Sequence, residues 1–198
     1  MDNRLYIFLD TEFTNLSRKT SMLVSTGLTV LSEKKESFYA EFNDYSMLLA
    51  SDFVKENVLP LLTFKGVNQG IQRTDTSILL KSDTKIISEL ITSWLYALSK
   101  KYNKKLTFVV DVGAYDWLLF SELISKKTND GCIEVPDYID YIPIDVSTML
   151  YLAGYDTDIS RREVLGITED MIQHNSLFDA KMTHMLYALL MDKFFGEK

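Results

Sequence analysis

The run Ile7-Phe8-Leu9-Asp10-Thr11-Glu12-Phe13 drives two carboxylates into an otherwise apolar, strand-like segment. Side chains of an extended strand alternate between faces, so Asp10 and Glu12 share one face, about 7 Å apart. Two unpaired anions on a buried face repel each other and lose hydration. Either the pair marks the solvated end of the strand, or a hard divalent cation sits between the two acids. Whether further carboxylates converge on the same point decides between these arrangements.

With 198 residues, 46% of them hydrophobic, and only 3 Pro and 8 Gly, the chain suits one α/β-type domain spanning residues 1–198. The single cysteine, Cys132, excludes an internal disulfide framework and a Cys-based zinc site, and it fits a reducing cytosol. No basic stretch leads into an apolar segment at the N-terminus, and no apolar run approaches about 18 residues, so neither export nor membrane insertion is expected. The expected location is therefore cytoplasmic. A net charge of −7 and a pI near 4.9 argue against a broad basic face that coats nucleic acid. A grip on a few nucleotides at one end stays compatible with them, because bound cations supply positive charge locally.

Strands are expected over 7–13, 22–31 and 37–42, and their short connections make an antiparallel meander. A helix is expected over 45–57, with Pro60 just beyond it. The stretch 66–83 has no clear period, and within it 76–80 reads as a short edge strand or a loop. Ile86, Ile87, Leu90, Ile91, Trp94, Leu95 and Leu98 recur at helical spacing behind Asp83 or Thr84 as N-cap. Residues 106–110 form a continuous apolar run that predicts a buried parallel strand. A helix over 114–126, a last strand within 138–144, short helices over 146–153 and 160–165, and a closing helix over 176–195 complete the order. The fold class is α/β: a mixed five- or six-stranded sheet, antiparallel in its first three strands and then parallel, flanked by helices.

Asp111 and Asp116 both follow the 106–110 strand, and in open α/β sheets ligands collect at the carboxyl ends of strands. Asp111 can pair locally at the strand's end, whereas Asp116 falls in the first turn of a helix, where an acid also serves the helix dipole. The residues alone leave that choice open. In the closing helix Asp179 lies within the apolar stripe of Phe178, Met182, Met185, Leu186 and Leu189, where a carboxylate needs a partner. Ser176 and Asp179 also match the spacing of a capping box. His174, five positions before Asp179, stands on the approach loop. His184 lies roughly 140° around the helix from Asp179 and reads as a surface histidine. Asp10, Glu12, Asp116 and Asp179 make an oxygen-only ligand set suited to Mg²⁺ or Mn²⁺ rather than zinc. Two such ions clamp the attacking and leaving oxygens of a phosphoryl displacement, and a histidine can take the proton of the attacking water. The constellation points to phosphodiester hydrolysis.

Asp10-Thr11-Glu12-Phe13, Gly113-Ala114-Tyr115-Asp116 and His174-Asn175-Ser176-Leu177-Phe178-Asp179-Ala180 resemble, in order and spacing, the three motifs of the DEDDh 3′-to-5′ exonucleases of the ribonuclease H-like fold. With Tyr39-Ala40-Glu41-Phe42-Asn43-Asp44-Tyr45, Asn57-Val58-Leu59-Pro60 and Ile144-Asp145-Val146-Ser147, the chain is similar to a compact bacterial and phage branch of exoribonucleases whose nuclease domain stands alone. The resemblance implies two Mg²⁺ (or Mn²⁺) held by Asp10, Glu12, Asp116 and Asp179, with His174 as general base, and it selects Asp116 over Asp111. It further implies substrate contacts from Thr11, Glu12, Phe13 and His174, with Phe13 wedging against a base; core packing is the other reading of Phe13. Tyr115 and Trp117 are candidates for base stacking or for the core, and Arg161, Arg162 and Lys181 for phosphate contacts. The implied partner is the 3′ end of a nucleic acid, RNA favoured over DNA, with no membrane; a homodimer is compatible with the sequence. Rival readings are a DNA proofreading or repair exonuclease and a non-catalytic binding module on the same fold.

Overall fold

Period-two alternation along the first strand sends its side chains into two different layers, and this division places everything else. The computed structural model describes residues 3–127, 133–167 and 174–196; Cys132 lies outside them. β1 (Arg4–Phe13), β2 (Leu23–Val30) and β3 (Ser37–Phe42) form the expected antiparallel meander. On one face Leu5, Ile7 and Leu9 enter a core with Ile87, Ile91, Leu95 and Leu98 of α2 (Thr84–Tyr102) and Phe120 of α3 (Asp116–Ile124). On the other, Phe8 packs with Leu186, Tyr187 and Leu190 of α6 (Ser176–Phe195) and with Val146 and Leu150 of α4 (Val146–Leu152). Asp10 and Glu12 continue the line of Phe8 towards the end of β1.

Among the described residues the sheet has seven strands, not five or six, in the order β4 (Gly70–Arg73), β5 (Ser77–Ser82), β3, β2, β1, β6 (Lys105–Val110), β9 (Ile144–Asp145). The additional strands come from the stretch that shows no period. β5 (Ser77–Ser82) runs parallel to β3 and antiparallel to β4 (Gly70–Arg73), so the 76–80 region is an interior strand and β4 takes the edge. β6 (Lys105–Val110) is parallel to β1, as its apolar run predicts.

Three other elements differ from expectation. The helix over 45–57 breaks into a 3₁₀ turn at Met47–Leu49 and α1 (Asp52–Asn57), because the Ser51 side chain accepts the N–H of Val54 and caps a new start. α3 ends at Ile124, and β7 (Lys126–Lys127) then pairs with β8 (Ile133–Glu134). The last strand shrinks to β9 (Ile144–Asp145), with a single further bridge from Ile139 to Leu106; Pro143, with no N–H, interrupts any longer ladder. α5 (Arg161–Leu165) lies between α4 and α6 in the chain. Among the described residues, no helix is long and apolar enough to cross a membrane.

Candidate active site

Two small residues on β2 let the first turn of α6 settle directly on the sheet. A Cβ on Gly27 would stand 2.2 Å from the backbone nitrogen of Leu177, so only glycine permits this approach. Ser25, two residues earlier on the same face, shares a hydrogen bond of 3.0 Å with the hydroxyl of Ser176. The β1 partners of Gly27 and Ser25 are Asp10 and Glu12, so the helix comes to rest over the two acids. The N-cap is Asn175, whose side chain accepts the Phe178 N–H at 3.3 Å. The capping box of Ser176 and Asp179 therefore does not form: Ser176 turns to Ser25, and the Asp179 carboxylate accepts the backbone N–H groups of His174 and Asn175.

As a result Asp10, Glu12 and Asp179 each offer a carboxylate oxygen within 4.8 Å of the other two. Asp10 and Glu12 thus face a third acid. Asp116 stands outside this triangle. It is buried at the start of α3, and its Oδ1 accepts both the backbone N–H of Thr11 at 3.0 Å and the Thr11 hydroxyl at 2.7 Å. Thr11, expected to meet substrate, thus spends its N–H and hydroxyl on aiming Asp116. All four acids line one cavity of about 500 Å³ together with Asp111, His174, Phe13, Tyr115, Arg161 and Arg162.

Burial and the crowding of negative charge dominate the electrostatics. Burial first, then Asp116, Asp179, Glu12 and Asp111, push the Asp10 carboxyl well above the usual carboxylate range. Burial with Asp179 and Asp116 pushes Glu12 up to about 8. Burial outweighs the Thr11 hydrogen bonds to bring Asp116 to about 7, and it likewise outweighs the two backbone hydrogen bonds of Asp179, which also reaches about 7. An oxygen-only set whose members resist ionising side by side is a fitting host for a hard divalent cation, which removes the repulsion.

The same shifts set a pH dependence. Folded-state values raised above the unfolded ones give stability that is complete below about pH 4 and lost as pH rises towards 7 and 8. Burial lowers His174 and His184, which works in the opposite sense near neutrality, but four acids with large shifts outweigh two histidines. At the acid end Glu36, held down to about 2 by Lys101, Ser32 and Tyr102 against its burial, gives stability that disappears as pH falls from about 4.5. The metal-free protein is expected to melt at a lower temperature at pH 8 than at pH 5, and Mg²⁺ or Mn²⁺ to raise the melting temperature much more at pH 8. A calorimetric series with and without chelator checks both; an equal metal effect at the two pH values contradicts the assignment.

His174 has a left-handed backbone (φ 62°), sits half-buried, and meets Phe53 edge-on at 5.1 Å. Burial lowers its proton affinity, so the imidazole is neutral and able to accept a proton near pH 7. Phe53 had no sequence signal, since its ring reaches His174 only through the fold. His184 is not a surface histidine: it stacks on buried Phe8, 4.1 Å between rings and 11° from parallel. The first-strand ring that receives it lies on the sheet face that α6 covers. Phe13 and Tyr115 stack on each other at 5.7 Å and 16° while lining the cavity. Trp117 belongs to the core instead, against Phe108 and Phe120's cluster, with its N–H donated to the Tyr141 carbonyl. Arg161 is committed to Asp111, Arg162 lines the cavity, and Lys181 is exposed outside the cavity lining.

No family model and no curated protein sequence matches the chain. Solved structures do. A full-length 3′-exonuclease superposes with a TM-score of 0.66 at 13% identity, over 98% of this chain and 84% of that one. A 3′-exonuclease in 3′-end-specific recognition of a histone mRNA stem-loop gives 0.64 at 13% identity, over 95% and 64%. The zinc-bound E. coli ExoI–ssDNA complex gives 0.55 at 11% identity, over 98% of this chain but 41% of that one. This chain therefore spans less than two thirds of the last two. At these identities the likeness is one of fold: the mixed sheet and its flanking helices share the architecture of these exonucleases.

Proposed function

We propose that this chain is a divalent-metal-dependent 3′-to-5′ exonuclease that shortens RNA from its 3′ end and releases nucleoside 5′-monophosphates. The observation that carries the reading is the meeting of Asp10, Glu12 and Asp179 oxygens within 4.8 Å, in a cavity that Asp116 and His174 also line. The likeness of the fold to 3′-exonucleases supports the polarity.

Asp10, Glu12, Asp116 and Asp179 would hold two Mg²⁺ or Mn²⁺. Bound there, such ions would supply Lewis-acid charge that offsets the charge developing on the phosphoryl group. Thr11 fixes the orientation of Asp116, and the backbone N–H groups of His174 and Asn175 fix that of Asp179. Neutral His174 takes a proton from the attacking water. The water oxygen bonds to phosphorus, the bond from phosphorus to the preceding nucleotide's 3′ oxygen breaks, that oxygen takes up a proton from solvent to become the 3′-hydroxyl of the shortened strand, and a 5′-monophosphate leaves. The stacked Phe13 and Tyr115 rings give the terminal base an apolar wall beside the acids.

DNA is the second reading, favoured by the fold's likeness to the E. coli ExoI–ssDNA complex. Matched RNA and DNA oligonucleotides of one sequence, digested side by side with Mg²⁺ or Mn²⁺, decide between them: faster shortening of RNA is expected, and equal or faster loss of DNA overturns the RNA preference. His174→Ala is expected to reduce turnover by about 10²-fold or more while Mn²⁺ still binds. A variant that keeps its rate, or loses the metal instead, rejects the general-base role.

A further inference from the structure

Just beyond β6 stands a carboxylate that the mechanism does not use, Asp111. Asp111 lines the same cavity as the four acids. Its carboxylate is engaged elsewhere. The Nε of Arg161 donates to Oδ1 at 3.0 Å and to Oδ2 at 2.9 Å, Nη2 donates to Oδ1 at 2.9 Å, and the Ser147 hydroxyl donates to Oδ1 at 3.3 Å. The remaining donors of Arg161 go to the Ser147 hydroxyl at 2.7 Å and to the carbonyls of Thr157 and Ile159 at 2.6 and 2.7 Å. Every guanidinium nitrogen thus has a partner within the protein, and the rigid planar fork holds Asp111 towards α4 and α5.

We propose that Arg161 is a positioning residue that withholds Asp111 from the metal-holding acids, so that of the two carboxylates following β6 only Asp116 serves the cations. The inference rests on reading the four acids as a metal site. Arg161 does two things at once: it engages both Asp111 oxygens, and it cancels a fifth negative charge beside the cavity. An arginine that merely pinned the 157–161 loop would do neither.

The test is Mn²⁺ binding, followed by the resonance signal of the free ion, in the full chain and in Arg161→Gln, Asp111→Asn and the double variant, with turnover measured in parallel. Arg161→Gln is expected to bind Mn²⁺ roughly tenfold more tightly, the effect of one added unit charge on a divalent ion across a water-like cavity, and to lose kcat. Adding Asp111→Asn to Arg161→Gln is expected to return Mn²⁺ affinity to the parent value and to recover part of kcat. Should Arg161→Gln not fold, Arg161→Lys keeps the charge without the fork and is expected to bind Mn²⁺ with an affinity between parent and Gln values. One affinity in all folded variants, or a double variant as impaired as Arg161→Gln, overturns the proposal. These outcomes separate it from the nuclease reading: the expected Mn²⁺ shifts in a chain that degrades no nucleic acid would reject only the nuclease, while unchanged Mn²⁺ binding in an active enzyme would reject only the role of Arg161.

Discussion

Asp10→Asn is expected to lower exonuclease turnover by roughly 10³-fold or more, since a bound metal supplies several kcal/mol of charge stabilisation in the transition state. Asp10 is the acid whose ionisation is opposed by the largest number of neighbours, with Asp116, Asp179, Glu12 and Asp111 all acting on it. It is therefore the position where a cation shared among the acids would relieve the most repulsion. Asparagine keeps the shape and removes the charge. The same substitution is expected to raise the melting temperature of the metal-free protein at pH 8, because one of the crowded anions is gone. Activity and stability thus move in opposite directions. A variant that loses activity by melting earlier, or that keeps its activity, contradicts the assignment of Asp10 as a ligand.

Gly27→Ala is expected to damage both fold and site. The new Cβ would meet the backbone of Leu177 at 2.2 Å and that of Ser176 at 2.3 Å, and backbone cannot swing aside as a side-chain tip can. Overpacking typically costs about 1–3 kcal/mol, and a clash with backbone belongs at or above the top of that range. For a chain of this size about 3 kcal/mol corresponds to a melting temperature lower by roughly 6–12 °C. The first turn of α6 must lift or slide, carrying Asp179 and His174 away from Asp10 and Glu12, so turnover falls even where the protein stays folded. Ser25→Ala is the control. It removes one hydrogen bond to Ser176 without adding volume, at about 1 kcal/mol. Equal effects of the two substitutions, measured by melting temperature and turnover, would show that close approach at Gly27 does not position the site.

Local pattern made part of this architecture legible. The alternation of Ile7 and Leu9 with Phe8 and Asp10, the helical stripe from Ile87 to Leu98, and the apolar run of β6 each follow from burial of a single element. Asp10, Glu12 and Asp179 stand out because their apolar neighbours make charge anomalous there, whereas Asp116 is selected over Asp111, and His174 given its role, only by the resemblance. What stayed hidden depends on partners distant in sequence. β5 reads as a loop or edge because its apolar run, Ile78 to Leu80, is short and shows no alternation, and only the pairing of β3 and β4 on either side makes it an interior strand. Thr11 looks like any strand threonine until Asp116, 105 residues away, receives both of its donors. His184 looks solvated by helical angle alone, but the ring of Phe8 lies beneath it. Two signals were available in the sequence. An isolated glycine inside a strand, Gly27, marks close backbone approach, and an asparagine just before an apolar helix, Asn175, is as good an N-cap as the serine after it.

The central claim is that four acids from β1, α3 and α6 gather metal at the 3′ end of a nucleic acid, and one digestion tests it most directly. A single-stranded RNA labelled at its 5′ end, and the same RNA labelled at its 3′ end, are incubated with the protein in Mn²⁺ and in chelator. The account predicts a ladder shortening one nucleotide at a time from the first substrate, a labelled 5′-mononucleotide as the first product of the second, and neither in chelator. Internal fragments, labelled mononucleotide released first from the 5′ end, or undiminished digestion in chelator would contradict it.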